Sequence, residues 1–272
     1  AQSRGELMRY PTLAWLTGRA IRAEVLGGGK HFDIHCEGGQ RFSARRLILA
    51  YGVADTLPAI DGLAERWGRS VLHCPYCHGY ELQEGRIGVV GCSDDGGAAQ
   101  ALLLCDWGNV TLFAHGMTLA PEERAALQHR GVSIEHEAVI GLEGEAPALS
   151  AAVLADGRRV ELRALFVTAR QHMATPLVEQ LGCVLENSPI GVLVQVDPGK
   201  QTSVPGIYAA GDATLVGNIS LASAEGVRAG VSLHHALVAE DSRASRYGEG
   251  ARPGRKPRAR PTRKQPPCGG CP

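Results

Sequence analysis

Short apolar runs separated by glycine-rich breaks dominate the chain from Ala20 onward. AIRAEV, HFDIHC and QRFSARRLILA alternate or run apolar, with Gly27-Gly28-Gly29 and Gly38-Gly39 between them, which predicts a β-meander ending on a buried strand, Leu47 to Ala50. Tyr51-Gly52 stops that strand, and Pro58, Asp61 and Gly62 mark a connection without strong periodicity, a candidate domain crossing. Arg86 to Gly91 reads as a strand, Asp95 to Cys105 as an alanine- and leucine-rich helix, and Asn109 to Phe113 as a second strand, together one βαβ unit. Pro121 to Arg130 reads as a helix opened by proline; VSIEHEAVIG, SAAVLADGRRVEL and RALFVTA read as strands, with a hairpin at Asp156-Gly157. Thr175 to Leu181 is expected to be helical, Gly206 to Ala210 a buried strand, and Leu221 to Val238 a long helix of small residues.

Composition bounds the class. With 272 residues, 44% hydrophobic, 21% charged and 35 glycines, the chain suits a compact α/β protein of one large or two modest domains. Lys and Arg number 28, as do Asp and Glu, so no overall basic field attracts nucleic acid or a membrane surface. No apolar run has the length of a membrane span and no signal peptide opens the chain, so a cytoplasmic location is expected. The chain opens at Ala1-Gln2-Ser3 on what reads as the end of a helix, which is expected of a fragment or trimmed chain. Residues 242–272, dense in proline, glycine and arginine, have nothing apolar to bury and are expected to form a disordered tail.

Eight cysteines are too sparse for a disulfide scaffold, so the close pairs need a local explanation. Cys36, Cys92, Cys105 and Cys183 have apolar neighbours and read as core. In His73-Cys74-Pro75-Tyr76-Cys77-His78-Gly79-Tyr80-Glu81, two thiols separated by two residues can close a small disulfide ring, and one of such a pair often attacks as thiolate. His78 is the candidate acid/base for that exchange. Two alternatives stand beside the redox reading: buried core cysteines, and a zinc site drawing on His73, Cys74, Cys77 and His78 with Cys268 and Cys271 as a second pair. The spacing between the pairs far exceeds that of a zinc finger or ribbon.

CPYCHGYE resembles the active-site segment of the thioredoxin reductase family, and more closely its relatives that act on dithiols in small molecules and carry histidine where thioredoxin reductases carry aspartate. The likeness runs from Arg9 to about Ala239. It implies an α/β flavoprotein in which a nucleotide-binding-like central domain (55–168, bearing the cysteine pair) is inserted into an FAD-binding domain (1–54 and 169–241). Leu47 to Gly52 is similar to the strand ending in Ala-Thr-Gly that closes the first half of the flavin domain, with Tyr51 in place of threonine. Gly206-Ile207-Tyr208-Ala209-Ala210-Gly211-Asp212-Ala213 resembles the second flavin fingerprint, which implies that Asp212 accepts hydrogen bonds from the ribityl chain. The helix that follows, headed by Ser220 and Leu221, is implied to turn its amino end toward the flavin ring, with Ser220 where thioredoxin reductases carry glutamine. The family's opening strand-GxGxxG-helix segment has no counterpart before Ala20, so this chain by itself is expected to bind FAD poorly and the complete protein to carry that segment.

Gly91-Cys92-Ser93-Asp94-Asp95-Gly96 lies between a strand and a helix, the right context for a nucleotide turn, with Gly91 and Gly96 as its candidate residues. Ser93 puts a Cβ where GxGxxG needs a second glycine, and two aspartates stand where phosphate would lie. After the next strand, Phe113-Ala114-His115-Gly116 lacks both an acid for a ribose and the arginines that NADPH-dependent reductases use, and Arg170 stands where they have glycine. NADPH use is therefore left open. The resemblance implies that Cys77 faces the flavin while Cys74 exchanges with substrate. The expected activity is thiol/disulfide exchange with a small-molecule dithiol or disulfide, dithiol oxidation first and NADPH-dependent reduction of a thioredoxin-like protein second, in a homodimer. A non-catalytic zinc or interaction module is the alternative from another class.

Overall fold

A computed structural model describes residues 2–91, 96–189, 191–215 and 217–246, and a short helix, α1 (Gln2–Leu7), opens it. Strands β1 (Ala20–Leu26), β2 (His31–Cys36) and β3 (Arg41–Ala44) then form the expected antiparallel meander. β4 (Leu47–Leu49) leaves the meander, and β5 (Val53–Thr56) occupies part of the stretch expected to be irregular.

The middle of the chain contributes β6 (Val71–Leu72), α2 (Pro75–His78), β7 (Arg86–Gly91), α3 (Gly97–Leu104), β8 (Asn109–Phe113), α4 (Pro121–His129) and β9 (Ser133–Glu135). A second meander of β10 (Val139–Glu143), β11 (Ala151–Leu154) and β12 (Arg159–Glu161) precedes β13 (Ala164–Thr168). The order β6-β13-β7-β8-β9 makes a five-stranded, all-parallel sheet. Alternation along each strand sorts its side chains into two layers. Leu165 and Val167 of β13 pack with Val90, Phe113 and the second meander, whereas Ala164 and Phe166 pack with Ile87, Val89, Leu112 and helices α3 and α4. Phe113 and Phe166 are fully buried; each contributes about 1.5–3 kcal/mol by burial.

VSIEHEAVIG does not form one strand. It ends the parallel sheet at Glu135 and restarts at Val139 in another sheet, because the Glu135 carboxylate accepts the Glu137 amide (3.0 Å) and turns the chain. Arg158 holds that carboxylate from the hairpin beyond (2.7 Å).

The remaining elements are β14 (Arg170–Met173), α5 (Leu177–Gln180), β15 (Leu185–Ser188), β16 (Gly191–Val194), β17 (Ile207–Ala209) and α6 (Ile219–Arg246). They join β1–β5 around a separate core that includes Phe32, Leu49, Leu177, Val178 and Ile207. β14 and β5 pair antiparallel, Thr56 opposite Arg170, so the two passages of the chain between the central and flanking cores run side by side. β17 pairs parallel with β4, Ala209 opposite Leu49. Of the described residues, no helix is long and apolar enough to cross a membrane.

Candidate active site

The cysteine pair sits where β6 gives way to a single helical turn. Cys74 is the extended N-cap of α2, and Pro75 occupies the first helical position, where its missing N–H costs nothing. Residues three apart share a helix face, and the Cys74 and Cys77 sulfurs lie 2.7 Å apart as free thiols. A disulfide of about 2.0 Å is reached by a small sulfur movement. Cys77 donates its S–H to Cys74; that bond, with burial and the neighbouring Cys74 and Glu81 charges, pushes the Cys77 thiol up to about 11. Cys77 is thus the thiol held toward its protonated form. Gly79 follows the pair because a Cβ there would come within 2.5 Å of the Trp107 ring, against which Tyr76 packs edge-on (5.9 Å between centroids).

Cys74 faces a cavity of about 400 Å³ between the two cores. His73, Cys74 and Gln100 line it from the central side; Arg170, Gln171 and Asp212 line it from the flanking side, with apolar surface from Pro75, Leu103 and Ala169. Gln100 donates its Nε2 to the His73 carbonyl (2.7 Å) and Gln171 its Nε2 to Asp55 Oδ1 (3.3 Å). His73 Nδ1, Gln100 Oε1 and Gln171 Oε1 are buried with no hydrogen-bond partner among the described residues. His78, the sequence candidate for acid/base work, is exposed and lies outside the lining; its neighbour His73 is inside. Cys77 is likewise exposed and outside the lining, so its assignment to the flavin side draws no support from this geometry.

Asp212 reaches the cavity from the carboxyl end of the β4/β17 pair. Ligands of parallel sheets lie beyond such strand ends, and here both strands run into left-handed glycines, Gly52 (φ 72°) and Gly211 (φ 81°). The Gly211 turn is braced from behind. Glu225 of α6 accepts the Gly211 amide (2.8 Å) and the Thr214 hydroxyl (2.8 Å), and pairs with the buried Lys200 ammonium (2.6 Å). Lys200 also donates to Thr214 Oγ1 (2.9 Å). Burial pushes the Glu225 carboxyl up, but the bonds from Lys200, Thr214 and the Gly211 amide outweigh it and hold the carboxyl below its ordinary value. A backbone approach left open by glycine, backed by an acid aimed into a cavity, fits a hydroxyl-bearing cofactor chain. The head of α6 departs from expectation: the Ser220 and Leu221 amides donate to Asn218 Oδ1 (3.0 and 3.1 Å), an N-cap that uses two of the donors expected to face the ring.

Gly91 ends β7 buried, and Gly96 caps α3 and lines the same cavity beside Cys74. A Cβ on Gly97 would stand 3.0 Å from Gly91 Cα, so the turn is closely packed against the strand end. Cys92, Ser93, Asp94 and Asp95 lie outside the described residues, as does the tail pair Cys268 and Cys271. Cys183 is buried, while Cys36 and Cys105 are half-buried. Among the described residues, no three His, Cys, Asp or Glu side chains are grouped as a metal site, which leaves the zinc alternative without support.

Sequence reasoning passed over His73 as anything but a metal ligand, and missed Gln100, Gln171, Lys200 and Glu225. Gln100 carried a signal, as the polar residue in the otherwise apolar run GAAQALLL, and so did Glu225 in ASAEGV. Nothing local marks Gln171 or Lys200.

Residues 11–230 match the family described as pyridine nucleotide-disulphide oxidoreductase. The chain is 32% identical over 215 residues to thioredoxin reductase tcpT of Claviceps purpurea, covering 75% of this chain and 65% of that protein. It is 31% identical over 229 residues to a component of the alkyl hydroperoxide reductase of Pseudomonas putida, covering 78% of this chain and 42% of the relative. It thus spans less than two thirds of the length of either. The structure of an oxidoreductase from Agrobacterium tumefaciens superposes with a TM-score of 0.81 at 40% identity, over 87% of this chain and 79% of the other.

Proposed function

The chain belongs to the pyridine nucleotide-disulphide oxidoreductase family, and from that premise we propose that it serves an FAD-dependent enzyme exchanging electrons with thiols through Cys74 and Cys77. The observation that carries this reading is that Cys74 and Asp212 line one cavity from opposite sides. The flanking unit would hold FAD by Gly52, Gly211 and Asp212, with Ser220 and Leu221 reaching it through side-chain atoms. The central unit would carry the cysteine pair.

In the leading direction a small dithiol is oxidised. One substrate thiolate attacks the Cys74 sulfur of the Cys74–Cys77 disulfide; that bond breaks, and Cys77 leaves with the electron pair and takes a proton. The second substrate thiol attacks the mixed disulfide, the substrate departs as a disulfide, and Cys74 leaves as thiolate. The substrate gives two electrons to the pair, and its two protons pass one to Cys77 and one to His73. His73, beside Cys74 among the residues lining the cavity, holds or delivers the proton, a role for which exposed His78, outside the lining, is less well situated. FAD, when bound, supplies the two-electron acceptor that restores the disulfide, with oxygen as the final oxidant.

The relatives' names favour a second reading, reduction of a disulfide on a thioredoxin-like protein at the expense of NADPH, for which Gly91 and Gly96 would form the nucleotide turn. We extend the proposal to a cytoplasmic homodimer, supported by the exposed apolar Ile219, Val227 and Val231 of α6. Anaerobic mixing of the FAD-loaded protein with a dithiol or with NADPH, followed by flavin absorbance, separates the readings. Bleaching by the dithiol is expected; faster bleaching by NADPH overturns the leading direction.

A further inference from the structure

Among the described residues that line the cavity, Arg170 is the only lysine or arginine. It opens β14 two positions beyond the end of β13, at the carboxyl edge of a parallel sheet, where ligands gather. The residue is exposed, and its side chain forms no hydrogen bond or ion pair with another described residue. Both acids in reach of an alternative account are elsewhere engaged or apart. Asp55 accepts the Gln171 amide (3.3 Å), and Asp212, which shares the lining, forms no ion pair with Arg170. The proposed function assigns Asp212 to the cofactor and leaves the guanidinium without a role. A guanidinium takes a carboxylate through two parallel N–H···O bonds, a match that a neutral hydroxyl cannot give. Pro75, Leu103 and Ala169 make the surroundings apolar, which screens such a pair less than open water does. Cys74 borders the same cavity, so an anion held there lies in the space that the reacting sulfur faces.

We propose that Arg170 selects dithiols or disulfides that carry a carboxylate, received by the guanidinium while the substrate sulfur meets Cys74. The proposal rests on the thiol–disulfide reading above and names its substrate class.

The test uses the full chain and needs no flavin. In a Cys77→Ser background, Cys74 thiolate attacks one sulfur of 3,3′-dithiodipropionate or of neutral bis(2-hydroxyethyl) disulfide. The reagent's S–S bond breaks, one thiolate leaves with the electron pair, and intact mass follows the Cys74 mixed disulfide. The ratio of the carboxylate reagent's rate to the neutral reagent's rate is expected to fall about threefold to tenfold in Arg170→Gln. Arg170→Lys, which keeps the charge and loses the fork, should hold part of the ratio. The neutral reagent's own rate shows whether the variant has kept its fold. Arg163→Gln removes the same charge from an exposed position at the other end of β13, outside the lining, and should leave the ratio as it was. An unchanged ratio in Arg170→Gln, or an equal fall in Arg163→Gln, overturns the proposal while leaving the thiol chemistry standing. Failure of Cys74 to react with either reagent removes the thiol reading as well. FAD and NADPH titrations by fluorescence are the remaining arm: weaker binding of either by Arg170→Gln with an unchanged ratio assigns the guanidinium to the cofactor and overturns the proposal.

Discussion

The cavity's two walls are held in different ways. On the cysteine side, α2 is one turn long, and the segment entering it is tied across to α3 by Gln100 Nε2 to the His73 carbonyl. On the acid side, the turn before Asp212 is gripped by a buried ion pair and further hydrogen bonds among Lys200, Glu225, Thr214 and Gly211. On the proposed reading the first wall would change its covalent state with each turnover. The second only presents a carboxylate, and a charged brace in low dielectric keeps that carboxylate aimed.

The largest effect should come from the light wall: serine at Cys74 or at Cys77 is expected to lower dithiol turnover by at least about a thousandfold, and full activity in both variants would end the redox assignment. Next, His73→Ala should cost about a hundredfold in turnover while His78→Ala stays within about twofold; equal losses would return the acid/base role to the exposed ring. The braced wall should answer in stability. Glu225→Ala strands the Lys200 ammonium in a site where its side chain is 9% exposed, at a cost of about 3–5 kcal/mol in urea unfolding. Lys200→Met combined with Glu225→Leu should lose less than the sum of the single changes; strict additivity would mean that no brace exists.

Two pH dependences carry smaller effects. Because the folded Glu225 carboxyl titrates below its ordinary 4.5, its contribution is fully present above that value and is lost as pH falls through the folded one. The stability gap between the natural protein and Glu225→Gln should therefore narrow on acidification below about 4.5. With Cys77 raised to about 11, its alkylation in the reduced protein should still be climbing at pH 10. A plateau near pH 9 would show that the sulfur–sulfur bond does not hold the proton.

Legibility in the sequence followed the range of the interactions. β7 and β8 fall where apolar runs put them, and α4 begins at its proline. β5 and β14–β16 were not read, because short half-exposed strands such as VADT and RQHM carry no alternation and exist through pairing with each other. Thr175 to Leu181 shrank to Leu177–Gln180, and the final helix grew to Ile219–Arg246. Helix ends are settled by caps such as Asn218, which periodicity does not register.

The sequence alone determined that two thiols stand three positions apart, that an acid follows Gly211 at the end of a buried strand, and that the chain alternates strands with helices in an α/β pattern, because each depends on residues a few positions apart. Only the tertiary structure decided that His73 rather than His78 is among the residues lining the cavity, that Glu225 and Lys200 brace the turn before the acid, and that Gln100 and Gln171 join the same lining. Those partners lie up to about a hundred residues apart, and burial and pairing at such distances are set by how the layers pack, which no local pattern encodes.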